Sequence, residues 1–162
     1  MRALEDLGYA AEAIRRREIS SAELIEACLE RYGATESKLH AFTWLDADRA
    51  RRLARERDSQ ESRGLLHGVP VGVKDIFDTA GIPTENGSPL FRGRVPERSS
   101  DVVRGLEAAG AVVVGKTVTA ELAFLTPGVT RNPYDLARTP GGSSMGSAAA
   151  VAAGVIPGSI GS

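Results

Sequence analysis

The apolar positions of the first third recur at helical spacing. Leu4, Leu7, Ala11 and Ile14 share one face of a helix that Arg15, Arg16 and Arg17 bring to a polar end. Ser20 and Glu23 stand at capping-box spacing. They predict a second helix through Leu24, Ile25, Cys28 and Leu29 to about Tyr32. Ala41–Asp46 alternates weakly, as a short strand does. From Asp46 to Asp58 a charged run with only Ala and Leu as apolar residues predicts a surface helix. Its arginines are interleaved with Asp and Glu, the pattern of a solvated face.

From Gly64 the texture changes. Gly68–Asp75 is a short apolar strand ending in Lys74 and Asp75, and Asp78–Gly93 is a loop punctuated by Gly and Pro. Ser99, Ser100 and Asp101 open a helix that Gly110 stops, and Val112–Val114 is a β-branched, buried strand. Thr117–Leu122 suggests another helix start, and Thr126–Pro140 is irregular. Strand and helix alternate at the spacing of an α/β unit with a mainly parallel sheet. There is no internal repeat, so residues 1–162 read as one unit, helical over 1–63 and α/β over 64–162.

The most informative stretch is Thr139–Gly154. Gly141, Gly142, Ser143, Ser144, Gly146 and Ser147 form a loop whose glycines reach backbone angles closed to other residues. The uncharged Ala/Val tract that follows predicts a helix buried on most sides, with Gly154 as its stop. A polar Gly-rich loop feeding a helix N-terminus suits chemistry that stabilises an anion. A flexible linker of the same composition would be followed by polar sequence instead.

Composition removes several classes. A net charge of −1 gives no electrostatic case for nucleic acid or an anionic membrane. Cys28 is the only cysteine and His40 and His67 stand apart, which leaves no disulfide framework and no Cys- or His-based metal cluster. The N-terminus carries acids early and lacks an apolar core, unlike a signal peptide, and Ala148–Ile156 is too short to span a bilayer. A cytoplasmic protein is the expectation. Gly110–Thr117 spells the phosphate-loop pattern G-x-x-x-x-G-K-[ST], yet its first Gly ends a helix and Val112–Val114 favour extended backbone. Lys116 is therefore expected to be structural.

A lysine at the end of an apolar strand is costly unless paired or neutral. The residues leave two roles for Lys74: a lysine reaching solvent at its strand end or, taken together with the Ser-rich Gly loop, a general base of depressed pKa for a serine hydroxyl.

Four segments in order, GVPVGVKDIFDTAGIPTENGS, AAGAVVVGKT, TRNPYD and PGGSSMGSAAAVAAGVIP, resemble the amidase signature family from about Leu65 onward. The resemblance implies a serine hydrolase that cleaves carboxamides through a Ser–cis-Ser–Lys triad without metal or cofactor. It implies the N-terminal part of an α/β/α sandwich with a mixed, largely parallel sheet, preceded by helices. Lys74 matches the family's catalytic lysine, and Ser143 matches the bridging serine that follows a cis peptide bond. Ser144 and Ser147 are then loop-fixing hydrogen-bonders. The nucleophile belongs to a G-[ST]-x-x-G-G-S motif that Gly161-Ser162 approaches, so its serine falls just past Ser162. Residues 1–162 hold two of the three triad members and, taken alone, are expected to be inactive.

Met145 stands where Gly or Ser is usual and is expected to narrow the loop. Gly158-Ser159 stand where apolar residues are usual and are expected to weaken the strand toward the nucleophile. The segment between Thr117 and Thr130 is short. That resembles compact bacterial amidases of the malonamidase type more than the glutaminase subunits of tRNA-dependent amidotransferases, the alternative alongside a truncated non-catalytic relative. The implied partner is a small-molecule amide, and the full-length protein is a possible homodimer.

Overall fold

The computed structural model describes residues 1–162. After a 3-10 turn at Arg2–Leu4, helix α1 (Leu7–Arg15) starts at Asp6, whose carboxylate accepts the Tyr9 N–H at 2.9 Å. Helix α2 (Ser21–Leu39) opens with the capping box anticipated at Ser20 and Glu23. It runs seven residues beyond Tyr32 although its last two turns are largely polar. Glu36 supplies the reason. Its carboxylate accepts the N–H groups of Ala41 at 3.1 Å and Phe42 at 3.0 Å, tying the helix end to the next strand. His40 makes the turn between them in the left-handed region.

Strand β1 (Phe42–Leu45) leads into helix α3 (Ala47–Asp58), whose last residue accepts the N–H groups of Ser21 and Ala22 and so holds the start of α2. Strand β2 (Pro70–Lys74), helix α4 (Asp101–Ala108), strand β3 (Val112–Thr117), helix α5 (Met145–Ala152) and strand β4 (Ser159–Ile160) follow. The sheet order is β1-β3-β2-β4, with β2 parallel to both neighbours and β1 antiparallel to β3. This is the mixed α/β sheet, helices on both faces, that the sequence predicts. One face packs Val112 and Val114 against α2, α3 and α5, and the other packs Val71, Val73 and Val113 against Val103 of α4.

An irregularity in the β2–β3 pairing positions the site. Val71 pairs with Val113, but Gly72 pairs with Gly115, so β3 carries one extra residue at Val114. The extra residue reverses the alternation beyond it. Lys74 and Thr117, paired across the ladder, face α5, while Val73 and Lys116 face α4. The two strand-end lysines therefore point to opposite sides of the sheet.

Gly110 ends α4 as predicted, at φ +89°, where a Cβ would lie 2.8 Å from His67 Cα. The helix suggested at Thr117–Leu122 does not form. Strand β3 continues to Thr117, and only a 3-10 turn follows at Glu121–Ala123, with Leu122 and Ala123 in the left-handed region. Long-range hydrogen bonds hold the segment on a non-helical path: the N–H of Val118 donates to Ala41 O, that of Ala120 to Ser143 O and that of Leu122 to Asn86 O.

Candidate active site

Strand β2 delivers Lys74 into the interior, where its side chain is 0% exposed rather than reaching solvent at the strand end. Its Nζ donates to Ser143 Oγ at 2.7 Å and to Ser162 Oγ at 2.7 Å. No carboxylate pairs with it. The adjacent Asp75 lies on the other face of the sheet, 3.2 Å from Lys116. Burial alone pushes the Lys74 amine below its ordinary value, because nothing nearby compensates the positive charge.

Ser143 sits on the Gly/Ser loop just before α5, and the Gly142–Ser143 peptide bond is cis. Its carbonyl accepts the Ala120 N–H at 2.9 Å, which fixes the loop to the end of β3. The helix behind it packs unusually close to the sheet. The Gly146 N–H donates to Val118 O at 2.9 Å, and a Cβ at Gly146 would overlap the Ala41 carbonyl and the Val118 amide.

Ser144 and Ser147 hold the other side of the site. Ser144 Oγ accepts the Ser162 N–H at 3.0 Å and donates to Ser162 O at 3.1 Å. Ser147 Oγ shares a hydrogen bond with Thr117 Oγ1 at 2.7 Å and donates to Ile160 O at 3.0 Å. Both fasten the β4 exit, and with it Ser162, over Lys74. In the sequence Ser162 stands only in the approach to a motif, and the G-[ST] opening of that motif is the signal that could have marked its contact with the lysine.

Met145 is buried, its Sδ accepting the Gly128 N–H at 3.0 Å. Strand β4 is short, as Gly158-Ser159 suggest, yet Gly72 N donates to Gly158 O at 3.1 Å, and Gly72 lacks a Cβ where one would collide with Ile156 and Ser159. Lys116 is structural in the sense expected. Its Nζ donates to Phe77 O at 2.9 Å and Thr84 Oγ1 at 2.6 Å. Gly110–Thr117 is helix end and strand, with no open loop for a phosphate.

A family model described as amidase matches residues 23–162. The chain belongs to the amidase family. A glutamyl-tRNA(Gln) amidotransferase subunit of Anaeromyxobacter sp. (strain K) is 48% identical, the match covering 96% of this chain and 34% of the relative. The protein of the same name from Acidothermus cellulolyticus is 44% identical over 93% of this chain and 32% of its own length. The chain thus spans about a third of the length of the curated relatives it matches. Among solved structures, the native peptide amidase of Stenotrophomonas maltophilia superposes with a TM-score of 0.85 at 36% identity, over 93% of this chain and 34% of the peptide amidase.

The curated relatives at 42–48% identity carry the amidotransferase name, not that of a malonamidase. They point to the branch that the short connector disfavoured.

Proposed function

We propose that the full-length amidase cleaves a carboxamide C–N bond by serine catalysis, with Lys74 as base and Ser143 as proton relay. The observation that carries this reading is a fully buried lysine whose only partners are serine hydroxyls. An ammonium in such a place is poorly compensated, so burial makes the neutral amine more accessible than in an exposed lysine, and that form accepts a proton. In the neutral form the Ser143 hydroxyl donates to Nζ, and Ser143 Oγ is free to accept the proton of the nucleophilic serine. That serine, which the family resemblance puts past Ser162, then attacks the amide carbonyl. The proton returns to the departing nitrogen, the C–N bond breaks, and water hydrolyses the acyl-enzyme to the carboxylate.

The 42–48% identity to glutamyl-tRNA(Gln) amidotransferase subunits supports glutamine as the amide donor, in a cytoplasmic, tRNA-dependent amidotransferase. One observation favours a second reading, a free-standing amidase for a small aliphatic amide: only Val118–Arg131 separates β3 from Asn132-Pro133.

The test is ammonia release by the full-length protein from glutamine with misacylated tRNA, and from malonamide. Lys74→Ala and Ser143→Ala each abolish turnover of the accepted substrate. Retained turnover in both variants would remove the triad assignment. Turnover of malonamide with none of glutamine would select the second reading.

A further inference from the structure

The buried pair on the back of the sheet has no part in the proposed proton path, yet it is expensive. Lys116 and Asp75 are both buried, and replacing such a pair by apolar side chains is often neutral or stabilising. Its contacts show where it acts. Lys116 grips Phe77 O and Thr84 Oγ1, Asp75 Oδ2 accepts the Glu85 N–H at 3.1 Å, and Asp75 O accepts the Asn86 N–H at 3.0 Å. Both ends of the segment from Asp75 to Asn86 are thereby fastened to the ends of β2 and β3.

The loop so fastened presses on the connector that holds Ser143. Gly87, at φ +64°, lies so close that a Cβ would be 2.9 Å from Thr119 O. Asn86 O accepts the Leu122 N–H at 2.8 Å, and Ser88 Oγ donates to Glu121 Oε1 at 2.8 Å. Between these contacts stands Ala120, whose N–H holds the Ser143 carbonyl. We propose that Lys116 and Asp75 are positioning residues for the amidase site, setting Ser143 against Lys74 across the sheet through the Thr84–Ser88 loop. The inference rests on the catalytic reading above for its meaning, not for its geometry.

The groups that face Lys74 are Thr117 from β3, Ser143 from the loop before α5 and Ser162 beyond β4, none of them charged. Asp78 and Arg94 flank Lys116 on the other face. The titration of Lys74 therefore reports its hydroxyl partners.

The experiment compares the full-length wild type with the double variant Asp75→Asn/Lys116→Met, which removes both charges together and avoids the stranded ion of either single change. Lysine ¹³Cε NMR gives the Lys74 midpoint, assigned with Lys74→Met, and thermal melting reports the fold. The expected result is a folded double variant in which the Lys74 midpoint moves by about half a pH unit or more. On the accepted amide, kcat falls about tenfold or more with KM within about twofold. If the double variant does not fold, Gly87→Ala displaces the loop at its contact with Thr119 and is read in the same way. A folded variant with an unmoved Lys74 midpoint overturns the proposal. The NMR readout needs no turnover, so absence of amidase activity in the wild type would fault the catalytic reading and leave this test intact.

Discussion

Gly146 separates a helix that merely follows the Gly/Ser loop from one that must touch the sheet backbone. In Gly146→Ala the new methyl would overlap the Ala41 carbonyl oxygen and Val118 amide nitrogen and lie 3.0 Å from Val118 Cα. These are backbone atoms of the β3 exit and the start of β1, so no side-chain rotation relieves the clash. The helix start must withdraw, loosening Gly146 N to Val118 O and Val118 N to Ala41 O, both 2.9 Å. Overpacking of this kind costs about 1–3 kcal/mol. Two weakened backbone hydrogen bonds add about 1 kcal/mol each. The sum is about 3–5 kcal/mol, which for a chain of this size lowers Tm by roughly 6–20 °C. Gly105→Ala is the control, because an exposed Cβ in the middle of α4 meets nothing within 4 Å. There the change stabilises by up to about 1 kcal/mol through helix propensity alone. Urea unfolding of both variants beside the wild type checks the pair. A loss below about 1 kcal/mol in Gly146→Ala would refute the claimed contact between α5 and the sheet backbone.

The buried Lys74 amine titrates below its ordinary 10.5. Its folded midpoint is lower than its unfolded one, so stability rises with pH between the two and the charged-state penalty is complete below the folded midpoint. The urea midpoint of wild type relative to Lys74→Met should therefore climb from pH 7 toward pH 10, and a flat difference would contradict burial without a counter-ion. The kcat/KM of the full-length protein should rise with pH through the same depressed midpoint. Ser147→Ala strands the buried Thr117 hydroxyl and frees Ile160 O. A loss of about 1–3 kcal/mol by urea unfolding is expected, partly recovered in Ser147→Ala/Thr117→Val. Ser20→Ala removes one half of the α2 capping box and should cost about 1 kcal/mol in the same assay.

What could be read from the residues was whatever depends on short-range chemistry. The Ser20/Glu23 cap, the stop at Gly110 and the strands at Val71–Val73 and Val112–Val114 are local rules acting on local neighbours. The α/β class and the amidase resemblance followed from their order. Lys74 and Ser143 were legible as candidates because a lysine on an apolar strand and a Gly-flanked serine are each unusual. Ser162 was legible only as the opening of a motif, because its contact with Lys74 depends on β4 being drawn alongside β2 by Ser144 and Ser147.

The face on which each lysine lands was decided only in three dimensions. One surplus residue at Val114 reverses the alternation of β3, so that Thr117 joins Lys74 while Lys116 captures Asp75 behind the sheet. The failed helix at Thr117–Leu122 has a similar cause, since its N–H groups are claimed by Ala41, Ser143 and Asn86, distant in sequence. Periodicity fixes which side chains alternate. It does not fix where a strand slips by one residue, because that register is set by pairing energy between segments brought together by the rest of the fold.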